Sequence, residues 1–153
     1  MTDATAREGL LLFAHGARDP NWARPFEAVR ARLRELAPGV EVRLAFLELM
    51  APDLATAGAE LAAAGCASVT IVPLFLGAGG HVRKDLPAQA EALARAHPAT
   101  RFRLAPALGE HPLVIDALAA AAALSRPPAP PPAPPHPRTC TSSASTRRPR
   151  AAT

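Results

Sequence analysis

The sequence is poor in cysteine and contains no long hydrophobic run. Its 153 residues include 2 cysteines, Cys66 and Cys140, and neither lies in a CxxC motif. Two such distant cysteines do not form the disulfide framework of a small secreted domain, so we expect a reducing compartment, the cytoplasm. The apolar runs at residues 10–14 and 118–124 are too short to span a bilayer, so we expect no membrane partner.

Acidic residues are absent from residues 127–153, which hold four arginines and nine of the 18 prolines. Without this segment the basic and acidic residues balance, so the formal net charge of +4 comes from the tail. A nucleic-acid-binding domain clusters basic residues on one face, and we expect no nucleic-acid partner here. Proline-rich sequence of this kind forms neither helix nor central strand. We therefore predict a folded domain at residues 1–126 and a disordered tail at residues 127–153.

Several catalytic motifs are also missing. There is no Walker motif, and the glycine-rich stretch at residues 77–80 is not a dinucleotide fingerprint, because that fingerprint follows the first strand. No GxSxG motif of an α/β-hydrolase occurs. A histidine phosphatase has an arginine immediately before its first-strand histidine, and here Ala14 holds that position. These absences argue against nucleotide-binding, hydrolase and phosphatase functions.

Short apolar runs alternate with longer segments of helical periodicity. This pattern predicts an α/β fold, a small open parallel sheet of four strands with helices on both faces and a flavodoxin-like strand order 2-1-3-4. The predicted strands lie at residues 10–13, 40–46, 68–74 and 101–104. The predicted helices lie at residues 24–37, from Asp53 to Gly65, from near Asp85 to His97 with Pro87 early in the helix, and from Pro112 onward. We expect the last helix to be amphipathic or buried.

Polar residues follow three of the predicted strands. His15 follows the first strand, Glu48 the second and His81 the third. In the order 2-1-3-4 the first and third strands are neighbours about 4.8 Å apart, so their exit loops face each other. Two imidazoles and a carboxylate suit a divalent first-row metal, with positions left open for a substrate. On spacing alone, the alternative is that these are ordinary surface or hydrogen-bonding groups.

The residues around the third of these positions fit an anionic ligand. Gly79 and Gly80 allow the backbone to approach a ligand closely, and Arg83 and Lys84 offer positive charge. The alternatives are a flexible turn for the glycines and solvated loop charges for the basic residues. Of the other histidines, His97 and His136 are expected to have no site role, and His111 remains open because it follows the fourth strand.

Three stretches carry a resemblance to a known family. They are LLFAHGARDP at residues 11–20, AFLE at residues 45–48 and VPLFLGAGGHVRKDLP at residues 72–87. The chain resembles the short-form sirohydrochlorin cobaltochelatases, which are class II tetrapyrrole chelatases. The resemblance implies ATP-independent insertion of a divalent metal into sirohydrochlorin, on the route to cobalamin or sirohaem. Co²⁺ is the expected metal and Fe²⁺ the next; a nickel chelatase of a related pathway and a non-catalytic metal or tetrapyrrole carrier are the alternatives.

The resemblance also implies roles for individual residues. It places the family's two active-site histidines, catalytic and metal-binding, on His15 and His81, with Glu48 as a further metal or proton ligand. It implies a tetrapyrrole substrate, no cofactor beyond the divalent metal, and a chain that pairs as a homodimer. Sirohydrochlorin is rich in carboxylates, so cations and exposed backbone are expected to hold it, and an aromatic ring to pack on it. The candidate substrate-binding residues are Arg18, Arg83, Lys84, Gly79, Gly80 and Phe75, the last with core packing as its alternative.

Overall fold

The structure, a computed structural model, describes residues 6–77 and 79–128, and the side chain of His81 is not among the described atoms. The predicted tail lies outside the described residues from residue 129 onward. The strands are β1 (Glu8–Ala14), β2 (Val40–Phe46), β3 (Ser68–Pro73) and β4 (Arg101–Leu104). The helices are α1 (Arg24–Leu36), α2 (Leu54–Ala63), α3 (Gly80–Ala96) and α4 (Pro112–Leu124), with short 3-10 turns at Pro20–Ala23 and Leu108–Glu110.

The four strands form one sheet in the order β2-β1-β3-β4. All three strand pairs are parallel, and Phe13 of β1 pairs with Ala45 of β2 and Pro73 of β3. The α/β class and the strand order predicted from the sequence are confirmed. Because the strands are parallel, all of their carboxyl ends lie at one edge of the sheet, where ligand sites of open α/β sheets occur.

The sheet buries side chains on both faces. Successive side chains of a strand point to opposite faces, so Leu12 packs on the side of α1 while Leu11 and Phe13 pack on the other side. There they meet α2 and α3 through side chains such as Leu61 and Leu93. This two-sided burial explains why the sequence of β1 reads as a continuous apolar run rather than an alternating one.

The ends of α2 follow the sequence signals closely. The backbone N–H of Thr56 donates a 2.8 Å hydrogen bond to Oδ1 of Asp53, which is the expected N-cap. Gly65 has φ +81° just beyond the other end, as expected of a left-handed stop. Hydrogen bonds from the side chain and the backbone of Thr56 hold the pKa of Asp53 below its ordinary value of 3.8. The carboxylate form of the cap is therefore favoured by folding.

We expect Asp53→Ala to lower the free energy of unfolding by about 1 kcal/mol at neutral pH, because the Thr56 N–H loses its partner. The pKa of Asp53 is lower in the folded state, so its stabilising contribution is present above the unfolded pKa and is lost as the pH falls through the folded pKa. Urea unfolding of the wild type, Asp53→Ala and Asp53→Asn at neutral and acidic pH measures this. Asn retains a cap oxygen without the charge; an alanine penalty that is equal at both pH values would contradict the charged cap.

The start of α3 corrects the sequence prediction. The helix begins at Gly80, not near Asp85, with Gly79 as its N-cap. The prediction placed Pro87 early in the helix, where the missing N–H of proline costs no hydrogen bond. In the structure Pro87 lies inside the helix, so one backbone hydrogen bond of the helix is not made. Consequently Arg83 and Lys84 lie in the first turns of a helix rather than in a loop.

The position of α4 also contradicts the expectation. We expected the last helix to be amphipathic or buried, but none of its residues is buried, and Leu113 and Leu124 are 72% and 87% exposed. Its sequence is apolar enough for a core, but its main contact is with the turn at Leu108–Glu110 rather than with the sheet. Within the described ranges no helix, α4 included, is both long enough and apolar enough to cross a membrane.

Candidate active site

The loop that follows β1 presents His15 at the carboxyl edge of the sheet. Its side chain is exposed, and its ring centroid lies 4.4 Å from that of Phe75, which follows β3. Phe75 is only 2% exposed and contacts Phe13 edge-to-face, with 5.8 Å between the ring centroids. The core therefore supports one side of the imidazole and leaves the other accessible.

The loop after β2 lies directly against the loop that carries His15. The backbone N–H of Leu47 donates to the carbonyl of Ala14 over 2.8 Å. A Cβ added to Gly16 would lie 1.6 Å from the carbonyl oxygen of Glu48, so only glycine allows this approach. The backbones of the His15 and Glu48 segments are thus brought together as predicted, and the Glu48 side chain is exposed.

The loop after β3 lies at the same edge of the sheet, beside the loop after β1. The backbone N–H of Leu74 donates to the carbonyl of Phe13 over 2.7 Å, which places the start of the glycine-rich segment beside the exit of β1. A Cβ added at Gly79 or Gly80 would meet none of the described atoms within 4 Å, apart from those of its chain neighbours. His81 lies in the first turn of α3, and the first N–H groups of a helix have no partner within the helix.

A cavity of about 240 Å³ adjoins these loops. Its walls include Phe75 and Leu86, and two charged side chains, Arg83 and Glu110, also line it. The guanidinium of Arg83 donates to Oε1 of Glu110 over 3.2 Å, and both side chains are more than half exposed. Sequence reasoning missed Glu110, although its place after β4, at the same edge of the sheet, was a signal for it.

Two further predicted site residues, Arg18 and Lys84, are exposed. Arg18 lies on the loop after β1, and Lys84 lies on α3. Among the side chains that the structure describes, no group of three or more His, Cys, Asp or Glu is arranged to hold a metal ion. Because the described side chains do not include that of His81, the ligand set His15, Glu48 and His81 stays a prediction.

Two other histidines have structural roles. His111 is the N-cap of α4, where its Nδ1 accepts a 3.2 Å hydrogen bond from the backbone N–H of Leu113. His97 is the C-cap of α3, with its ring 6.3 Å from that of Phe102. The expectation for His97 agrees with this position, and the open question for His111 receives a structural answer.

The strand order and the edge loops define the class of the molecule: a doubly wound α/β domain whose ligand crevice carries an exposed imidazole. Comparison with known sequences is more specific. Residues 9–123 match the protein-family model described as CbiX. The chain therefore belongs to the CbiX family.

Curated relatives and solved structures agree with this assignment. A sirohydrochlorin cobaltochelatase of Methanosarcina acetivorans is 31% identical over 54% of this chain and 64% of its own length. One of Sulfurisphaera tokodaii is 32% identical over 54% of this chain and 68% of its own length. A sirohydrochlorin cobaltochelatase of Methanopyrus kandleri is matched over 54% of its own length. The chain thus spans between about half and two thirds of these relatives.

The structural neighbours show the same fold. The CbiX protein of Marinobacter aquaeolei VT8 superposes with a TM-score of 0.68 at 33% identity, covering 76% of this chain and 95% of that one. The sirohydrochlorin chelatase SirB of Bacillus subtilis, solved with cobalt, gives a TM-score of 0.68 at 21% identity and covers 78% of this chain but 51% of its own. The latter likeness concerns the fold alone.

Proposed function

We propose that this protein inserts a divalent metal, Co²⁺ in the first place, into sirohydrochlorin without ATP. One observation carries the proposal: an exposed His15 imidazole, supported by Phe75, stands at the ligand edge of a CbiX-family domain. The curated relatives that bear the name sirohydrochlorin cobaltochelatase support the choice of substrate and metal. No resident cofactor is required, because the metal is itself a substrate.

The reaction exchanges one metal ion for two protons. The hydrated metal loses water as a neutral imidazole of His15 or His81 binds it, and the carboxylate of Glu48 offsets part of its charge. Four ring nitrogens then bind the metal, and the two pyrrole N–H protons leave to these same groups and to water. A neutral imidazole can either ligate a metal ion or accept a proton, so the same group can serve both steps.

The cations at and near the cavity are the candidate partners of the carboxylates of the macrocycle. Arg83 is held by Glu110 at the cavity wall, so a substrate carboxylate that reaches Arg83 competes with an anionic partner already in place. The first turn of α3 adds backbone N–H groups and the positive end of the helix dipole. Lys84 and Arg18 are the further cations, and the edge of the ring would approach the backbone of Gly79 and Gly80, where no described atom beyond the chain neighbours lies within 4 Å of an added Cβ.

The proposal has two further parts. A domain of this size exposes its ligand edge on one side, so we propose that a second copy completes the cleft around the macrocycle, as the resemblance implies.

We also propose the cytoplasm as the location, on the cysteine usage alone. Cys66 is a free, buried thiol, and burial raises its pKa. These properties suit a structural residue in a reducing compartment.

The test is the absorbance change of anaerobic sirohydrochlorin mixed with Co²⁺, Fe²⁺ or Ni²⁺, with and without the protein. We expect the protein to accelerate insertion above the spontaneous rate, most strongly with Co²⁺. Acceleration with Ni²⁺ alone would replace the cobalt assignment by the nickel alternative. Tetrapyrrole binding without acceleration for any metal would contradict catalysis and favour a carrier.

A further inference from the structure

The cavity beside Phe75 combines apolar walls with two charged side chains. Arg83 and Glu110 are the charged residues that line it, and the other lining residues in the described part of the chain are apolar, among them Leu86 and Leu104. Its volume of about 240 Å³ lies below the range of about 300–1,000 Å³ that is typical of pockets for whole small molecules. The cavity therefore suits one side arm of a larger ligand, with methylene groups against the walls and an acid group at the guanidinium.

Glu110 is an unexpected neighbour for a ligand that is rich in carboxylates. Its Oε1 accepts a 3.2 Å hydrogen bond from the guanidinium of Arg83, so the cation that would bind an acidic arm already has an anionic partner. Both side chains are more than half exposed, and water and salt weaken the attraction within such a pair. A carboxylate of the ligand can therefore displace Glu110, which then stands beside that carboxylate as a like charge.

The fold keeps Glu110 at the cavity. This residue ends the short 3-10 turn Leu108–Glu110, in which the backbone N–H of Gly109 donates a 2.8 Å hydrogen bond to the carbonyl of Phe75. A Cβ added to Gly109 would lie 2.1 Å from the carbonyl oxygen of Leu76, so the turn is in close backbone contact with the loop after β3. A displaced Glu110 side chain consequently remains near the arm that displaced it.

We propose that the cavity takes one carboxylate arm of the tetrapyrrole at Arg83, and that Glu110 limits the strength of this contact so that the product leaves. This inference rests on the proposed function. In the empty site Glu110 is the partner of Arg83; in the loaded site the arm is the partner, and Glu110 repels it. When the arm withdraws, Glu110 returns to the guanidinium. Without this competitor, a ligand held by several charge-assisted hydrogen bonds would dissociate slowly, because stronger contacts lower the dissociation rate.

Equilibrium binding of metal-free sirohydrochlorin to the full chain tests the contact apart from catalysis. We expect Glu110→Gln to lower the dissociation constant about three- to fivefold, the size of an exposed ion pair, because the amide keeps the shape of the side chain without its charge. Arg83→Gln should raise the dissociation constant. In the Arg83→Gln background, Glu110→Gln should have little effect, since competition needs both partners.

The matched control is Glu91→Gln. Glu91 forms a 3.7 Å ion pair with Arg95 on α3 and does not line the cavity, so the same loss of one negative charge should leave the dissociation constant unchanged. Circular dichroism establishes that each variant is folded. A gain of the same size in Glu91→Gln, or in Glu110→Gln on the Arg83→Gln background, would reduce the effect to net charge and overturn the inference.

The dissociation rate of sirohydrochlorin loaded beforehand with Co²⁺ measures product release directly. Stopped-flow displacement should show that Glu110→Gln slows this rate by about the same factor of three to five. Tighter binding with an unchanged dissociation rate, or no tighter binding in folded Glu110→Gln, would overturn the inference while the wild type still binds and metallates the macrocycle. A wild type that binds no sirohydrochlorin would contradict the proposed function itself, and this inference with it.

Discussion

His15→Ala is expected to reduce metal insertion by about 100-fold or more, the usual loss when a positioned ligand or proton acceptor is removed. In the proposed reaction this exposed imidazole both binds the divalent ion and takes a proton. We expect a loss of similar size for His81→Ala. The measurement is the initial rate of metal insertion into anaerobic sirohydrochlorin at saturating metal, corrected for the spontaneous rate.

His97→Ala is the matched control for both variants, because His97 caps the far end of α3 and lies away from the carboxyl edge. It removes the same side chain and should keep the wild-type rate. Circular dichroism and urea unfolding establish that each variant is folded. Full activity in folded His15→Ala would contradict the role assigned to this imidazole, whatever the behaviour of His81→Ala.

Gly16→Ala is expected to damage stability and the site together. The new Cβ would lie 1.6 Å from the carbonyl oxygen of Glu48, so the loops after β1 and β2 would have to separate. Overpacking of this kind costs about 1–3 kcal/mol, and here the shift also moves His15 relative to Glu48. Urea unfolding and the insertion rate, measured on the same preparation, report the two effects.

Gly39→Ala provides the comparison for this change. A Cβ at Gly39 would meet no described atom within 4 Å, and the backbone there needs no left-handed conformation. This variant should therefore be as stable as the wild type or slightly more stable. If Gly16→Ala behaved like Gly39→Ala in both measurements, the close contact between the two loops would be wrong.

The sequence predicts the sheet well because its signals are local and agree with one another. A continuous apolar run marks β1 as buried on both faces, Asp53 caps α2, and Gly65 ends the helix region at φ +81°. The predicted strand order is the commonest right-handed doubly wound arrangement for a short sheet, and the structure has that order. The convergence of His15 and Glu48 at one edge follows directly, because both residues end adjacent parallel strands.

Other features depend on information that local patterns do not contain. The glycines before α3 carry no capping side chain, and Pro87 favours an early position in a helix. For these reasons the sequence predicts a helix start near Asp85 instead of at Gly80. The hydropathy of α4 predicts that another apolar surface packs against it, but it does not identify that surface. The ion pair between Arg83 and Glu110 joins residues far apart in the chain, and only the tertiary fold brings them to 3.2 Å.

The position of Phe75 has a consequence for redesign. One face of its ring belongs to the hydrophobic interior through Phe13, while another supports His15 and lines the cavity. A substitution chosen to reshape the cavity at this residue would also disturb folding, so this residue cannot be varied freely when the cavity is redesigned. Glu48 and Arg18 of the proposed site have exposed side chains, so substitutions there carry little cost in stability.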